Sequence, residues 1–234
     1  MRPADAIVEV AGAALGHASE VSGTVVDAGE AAREWLGRRV VAPRLLPCGE
    51  CDHCRRGRVA LCPAQTTRGA LAPTQAVPAR WLTSVEPPLW PDGAELWQLA
   101  ALADAVLTPY TALSRAGVGP SDTVVVLGND ARAVFARQLV AAKGAKLADR
   151  PVDGCVVLVT GSRALPELAP GVIVVLLDET SAHWPQLVAN EAHVLGVLGG
   201  HPDLLPEICA LVVRGQLALA PHLRRVTTAE AEAD

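Results

Sequence analysis

TVVVLGNDARAVFARQLVAAKGA, residues 123–145, reads as a strand, a glycine turn and a helix in unbroken succession. Thr123–Leu127 carries no charge and is rich in valine, the pattern of a strand buried on both faces. The apolar spacing that follows is helical and stops at Gly144. Two more apolar strands come later, in GCVVLVTGS (154–162) and GVIVVLLD (171–178). Strands of this kind joined by helices indicate a parallel sheet covered on both sides, so the fold class is α/β. Upstream, LWQLAALADAVLTPYTALSRAG (96–117) has helical spacing up to Gly117. Downstream, a helix begins near Pro202–Asp203 and ends at Gly215.

The first third has a different style. AIVEVAGAAL (6–15), VSGTVVDAG (21–29), GRRVVAPRLLP (37–47) and TQAVPARWLTSV (74–85) are short β-type runs divided by glycine and proline. The break near Pro87–Pro91 predicts two domains, a β-rich lobe over 1–95 and a parallel-sheet domain with a C-terminal segment over 96–234.

Inside the β-rich lobe lies PCGECDHCRRGRVALC (47–62), with Cys48, Cys51, Cys54 and Cys62 at intervals of x2, x2 and x7. Thiolates at this spacing wrap one tetrahedral Zn²⁺, and four sulfurs leave no open position, so one structural zinc per chain is expected. Arg55, Arg56, Arg58 and Arg68 form a basic rim that reads as a solvated surface. Cys155 and Cys209 sit in apolar runs and read as core residues.

Composition narrows the function. The chain has 234 residues, 50% hydrophobic and 19% charged, with a formal charge of −5. Such a balance excludes a disordered chain, and without a basic run it argues against a nucleic-acid partner or a polybasic membrane anchor. No apolar stretch is long enough to cross a bilayer, and MRPADAIVEV lacks the pattern of a secretory signal. A cytoplasmic location is therefore expected.

The order of motifs resembles the zinc-containing medium-chain alcohol dehydrogenase superfamily. Gly16-His17, GTVVDAG (23–29), RRVVAP (38–43), the cysteine lobe, ADAVLTPYTAL (103–113) and DTVVVLG (122–128) occur in family order. LGVLGGHPDLLPEICALVVRGQL (195–217) resembles the segment that follows the family's sheet. ADAVLTPY is similar to dehydrogenases of cyclic acyl-CoA thioesters, such as the 6-hydroxycyclohexenecarbonyl-CoA enzymes. The resemblance implies an N-terminal GroES-like lobe with the structural zinc loop and a shortened Rossmann-like domain. It also implies a homodimer joined by sheet edges, for which GVIVVLLD and LGVLGG are suited.

Departures from the family pattern matter as much. His17 matches the family's histidine zinc ligand, and Asp104 falls where a cysteine or aspartate ligand is expected. Glu20 stands near the acid that follows the histidine, but only AGAAL separates Val10 from Gly16, so the ligand cysteine and the relay hydroxyl are missing. His17, Glu20 and Asp104 either hold a second metal or survive as cleft residues. The phosphate loop reads Gly128-Asn129-Asp130-Ala131-Arg132-Ala133, with Asp130 in place of the second glycine of G-x-G-x-x-G. After Gly144, Lys146–Pro151 leads almost at once into the later strand, so the neighbouring strands are expected to be lost and Asp149 to lie in a loop. The ending TTAEAEAD stands where the family's chain returns to the first lobe, and reads as a frayed acidic tail.

These departures predict loss of NAD(P)-dependent hydride transfer, with NAD(P) not expected as a cofactor. The reading is a cofactor-independent biosynthetic enzyme of isomerase, cyclase or lyase type, acting on a small carbonyl or acyl-thioester substrate. His17, Glu20, Asp104 and Tyr110 are its candidate catalytic residues, with Thr108 beside them. Two alternatives stand: a non-catalytic scaffold using Trp90, Trp97 and the arginine rim, and a residual NAD(P)-dependent zinc oxidoreductase.

Overall fold

The computed structural model describes residues 2–14, 21–67, 72–161, 164–178, 184–219, 223 and 225–226. In chain order the first elements are β1 (Asp5–Ala14), β2 (Val21–Ala28), β3 (Arg39–Ala42), β4 (Leu45–Leu46), α1 (Asp52–Arg55), β5 (Thr66–Thr67), β6 (Thr74–Pro78) and β7 (Thr83–Ser84). Next come α2 (Leu107–Arg115), β8 (Thr123–Leu127), α3 (Ala131–Ala142), β9 (Lys146–Ala148), β10 (Val156–Val159) and β11 (Ile173–Leu176). The last are α4 (Trp184–Ala189), β12 (His193–Gly196), α5 (Leu205–Val213) and β13 (Arg225–Val226).

Contacts divide the chain into two units, residues 1–107 with 200–234, and residues 108–199. The division expected at 95/96 is therefore displaced. The change of sequence style at Leu96 marks a 3-10 helix, Leu96–Ala103, that stays with the first unit and packs on β1, β2 and β3. Ser22 on β2 donates its hydroxyl to the Leu96 carbonyl at 2.5 Å. Leu99, Ala100, Ala101 and Leu102 are wholly buried, so their burial outweighs the composition change that suggested a boundary.

In the first unit an antiparallel sheet runs β13-β1-β2-β3-β7, with β6 also on β1. Its core is Ala6, Val8, Val21, Val25, Val40, Ala42, Val77 and Leu82. Alternation along β1 and β2 sends these residues inward. Gly23 is required where the two strands meet, because a Cβ there lies 2.0 Å from the Glu9 carbonyl oxygen. β13 pairs with β1, Ala13 opposite Val226, so the chain returns to this lobe directly before the acidic ending. Residues 227–234, the acidic ending, lie outside the described residues.

The second unit holds a parallel sheet in the order β12-β11-β10-β8-β9. Numbered along the chain as a doubly wound fold this is 2-1-4-5-6, the six-strand order without its outer third strand. The apolar runs read from sequence are β8, β10 and β11. β9 corrects the expectation that both neighbouring strands are lost: Lys146–Ala148 pairs with Thr123–Val125 of β8. β8 would otherwise present unsatisfied backbone groups, and even three residues suffice to cover them. GVIVVLLD corresponds to the interior strand β11 rather than to an edge; the exposed edge is β12. Phe135, wholly buried, fixes α3 against the unit's core.

Candidate functional site: a cysteine metal centre and a closed nucleotide crevice

The cysteine lobe is a loop closed at its base by the β4–β5 pair, Leu45 opposite Thr67 and Leu46 opposite Thr66. Gly49, at φ 79°, turns the chain so that Cys48 faces Cys51 and Cys54. Cys51 stands before the single turn of α1, which carries Cys54, and Cys62 ends a second turn over Val59–Leu61. Buried Trp81 supports the loop from below, donating its indole N–H to the Pro47 carbonyl at 3.0 Å. Arg80 donates to the Cys48 carbonyl at 2.8 Å and lies over the Trp81 ring.

All four sulfurs lie within 4.8 Å of one another. Cys48 and Cys54 are 4.0 Å apart and Cys51 and Cys54 are 3.6 Å apart. Tetrahedral thiolate zinc, with Zn–S near 2.3 Å, sets sulfurs about 3.8 Å apart, so the donor set fits that ion. Backbone N–H groups of Glu50 and Cys51 pull the Cys48 thiol down to about 6, whereas burial pushes Cys54 up to about 12. The rim arginines are exposed; Arg55 pairs with Asp52 at 2.8 Å, and Arg68 lies outside the described residues.

The second feature stands at the carboxyl ends of the parallel strands. Gly128 leaves β8 at φ 144°, where a Cβ would fall 1.9 Å from the Thr160 hydroxyl oxygen. Gly128→Ala is therefore expected to destabilise this unit by about 1–3 kcal/mol from backbone strain alone, with the clash in addition; urea unfolding checks it. Asp130 is the N-cap of α3. Its Oδ1 accepts the Ala133 N–H at 2.9 Å and the Thr160 hydroxyl at 2.8 Å. Arg132 reaches past Asp130, at 3.8 Å, to lie 2.9 Å from both carboxylate oxygens of Asp178. The Gly161 N–H also donates to Asp178, at 2.7 Å. Arg137 donates to the Val126 and Gly128 carbonyls beneath the turn.

Dinucleotide folds place a pyrophosphate at this turn, held by glycine backbone and the helix N-terminus. The residues present do not fit it. A carboxylate fills the approach that the second glycine keeps open and takes up an N–H of the first helical turn. A phosphate charge about 4 Å from that carboxylate costs around 4 kcal/mol at an effective dielectric near 20. One part of such a pocket does remain: Asp149 is exposed directly after β9, at the strand end where these folds carry a ribose-binding acid.

His17 and Glu20 lie outside the described residues. Asp104 closes the Leu96–Ala103 helix in the first unit, and Thr108 is wholly buried at the start of α2. Tyr110 is buried in the second unit, with the Lys143 ammonium 5.2 Å from its ring centroid. Trp90 stacks on Arg39 at 4.3 Å, and Trp97 donates to Glu95 at 3.1 Å, so both are engaged within the chain. Cys155 and Cys209 are buried, and burial pushes Cys209 up to about 11. Sequence reading missed the ring-exposed Trp184, 71% accessible, and the partnership of Arg132 with Asp178.

Comparison with known proteins agrees with this arrangement. Residues 5–87 match the model of the alcohol dehydrogenase GroES-like domain. The chain is 36% identical over 124 residues to an erythritol/L-threitol dehydrogenase of Mycolicibacterium smegmatis, covering 48% of this chain and 32% of that protein. An alcohol dehydrogenase of Geobacillus stearothermophilus is 30% identical over 115 residues, covering 47% of this chain and 32% of that one. The chain thus covers about a third of the length of these curated relatives. The D-arabinose dehydrogenase of Sulfolobus solfataricus shares the fold, at a TM-score of 0.79 and 18% identity over 97% of this chain and 93% of that one. Residues 5–87 thus form a GroES-like domain of the alcohol dehydrogenase type, and the chain, with a four-cysteine cluster able to hold a metal and a Rossmann-like parallel sheet, is similar to the zinc-containing medium-chain alcohol dehydrogenases.

Proposed function

We propose that the chain is a zinc-structured derivative of the superfamily that has lost NAD(P)-dependent hydride transfer and acts as a cofactor-independent enzyme on a small carbonyl or acyl-thioester substrate. The single observation that carries the loss is the Asp130 carboxylate, hydrogen-bonded to Ala133 and Thr160 across the phosphate turn. A micromolar dinucleotide complex is worth only about 8 kcal/mol in all, so one misplaced charge removes a large share of it. Asp149 supports ribose binding but supplies no partner for a pyrophosphate. Following absorbance at 340 nm with NADH or NADPH and a panel of aldehydes, ketones and polyol-derived ketoses tests the reading. No turnover is expected; steady oxidation of either nucleotide overturns it.

The chemistry left to such an enzyme is acid–base. The proposed pair is His17 with Glu20 or Asp104, because a carboxylate partner holds an imidazole in one tautomer and keeps it basic. Tyr110, buried with the Lys143 ammonium over its ring, stays a candidate hydrogen-bond donor to a substrate carbonyl. Substituting His17 or Asp104 by Ala is expected to slow formation of the pathway product by about 10²–10⁴-fold, measured by metabolite accumulation in a host lacking the native chain. Unchanged flux in both variants contradicts catalysis.

The exposed apolar side chains on α4 and around β12 support self-association at that edge. Trp184 and Val188 are 71% and 76% accessible, and Val194 and Leu198 about half. The opposite edge, β9, is three residues long and flanked by Lys146, Asp149, Arg150 and Pro151, which discourage pairing. A homodimer joined along β12 follows. Light scattering is expected to return twice the 24.3 kDa chain mass, and Val194→Lys to return the monomer. No helix among the described residues is long and apolar enough to cross a membrane.

A further inference from the structure

The switch point of the parallel sheet lies between β8 and β10, because β9 extends it on one side and β11 and β12 on the other. In open α/β sheets, ligands enter the crevice outside the strand ends at this point. Here that crevice is spanned twice by the chain's own groups. The first span runs from Asp130 at the foot of α3 to Thr160, directly after β10. The second runs from Arg132 on α3 to Asp178, beyond β11, and is tied down by the Gly161 N–H.

We infer that the Arg132–Asp178 bridge is a second closure of the crevice, excluding a dinucleotide independently of Asp130. This rests on the loss of cofactor binding proposed above. Three side chains are involved, two carboxylates and one guanidinium, with Arg132 and Asp178 25% and 26% accessible and Asp130 37%. Their summed charge is −1, so the closed crevice repels an anion even though a cation stands in it. Arg132, the group best placed to meet a phosphate, is committed on its forward side to Asp178 and faces Asp130 on the other. A glycine at 130 would clear the turn and remove one charge, but would leave Arg132 tethered across β10 with its guanidinium neutralised.

NADH fluorescence titrations of four full-length proteins test this: the native chain, Asp130→Gly, Asp178→Asn and the double variant. Asn at 178 keeps an acceptor for the Gly161 N–H while removing the charge that holds Arg132. Circular dichroism melts verify that each protein is folded. The expected result is silence from the native chain, weak or no binding by either single variant, and binding by the double variant at least tenfold tighter than by Asp130→Gly. Equal affinity in Asp130→Gly and the double variant overturns the second closure while leaving the loss of cofactor binding intact. A folded double variant that stays silent also overturns it. Binding by the native chain overturns the reading on which it rests.

Discussion

Replacing Cys54 by Ser, or stripping zinc with a strong chelator, is expected to unravel the loop over residues 47–65 and lower the melting temperature of the first unit sharply. The loop has little else to hold it. Its helix is one turn long, its base pair of strands is two residues each, and its apolar cluster is Cys54, Val59, Cys62 and Trp81 with the edge of Leu46. A four-thiolate zinc contributes roughly 10–16 kcal/mol in small domains that are unfolded without it. Even a fraction of that exceeds what this cluster can supply. Cys54 is the sharpest choice because it is buried and stands within 4.0 Å of both Cys48 and Cys51. Burial holds its proton in the metal-free loop, so zinc uptake must expel that proton and weakens as pH falls. Metal analysis is expected to give one zinc per chain in the native protein and much less in Cys54→Ser. Proteolysis should cut the variant between Cys48 and Cys62 first.

Phe135→Ala is expected to cost about 3–5 kcal/mol, read as an earlier urea midpoint. Phe135 is wholly buried, as are Ala133, Ala136, Leu139 and Val140 of the same helix, so its truncation leaves a cavity in the interior. The consequence for the crevice is direct. α3 carries Asp130 at its N-cap and Arg132 in its first turn, and both spans depend on where the helix sits. Loosening it should also raise hydrogen exchange at Gly161 and Ala133, whose N–H groups the two carboxylates hold.

Much of this was legible in the sequence, for physical reasons. Four cysteines at short intervals in a chain with no alternative use for them point to a metal whatever the surroundings. β8, β10 and β11 are valine-rich because both their faces are covered, and a composition so extreme needs no context. The strands that escaped are those made by context. β9 is three residues without alternation, paired only because β8 has a free edge, and β13 is two residues recruited by β1. Intrinsic preference in such pieces is too weak to decide their state. The break of one helical pattern into a 3-10 segment and α2, at Asp104, is likewise set by packing.

At the site, the sequence put Asp130 where the family pattern has a glycine but did not say what its carboxylate holds. The signal was there, since Asp directly before a helix is a favoured N-cap. Arg132 had two acidic candidates, and the near one in sequence is the farther in space, 3.8 Å against 2.9 Å. Sequence distance hides a partner 46 residues away, beyond the end of β11. Tyr110 illustrates the opposite limit. Its position matched a cleft residue, yet it is buried with Lys143 over its ring, and only three-dimensional packing decides between those fates.

The proposed function turns on a crevice that no longer accepts a dinucleotide. Calorimetric titration of the zinc-loaded native protein with NADH and NADPH tests it most directly. Silence up to millimolar nucleotide, with one zinc per chain, is the predicted result. Saturable micromolar binding of either nucleotide would contradict it, showing that the Asp130 and Asp178 contacts open on binding and that the chain retains the superfamily's cofactor.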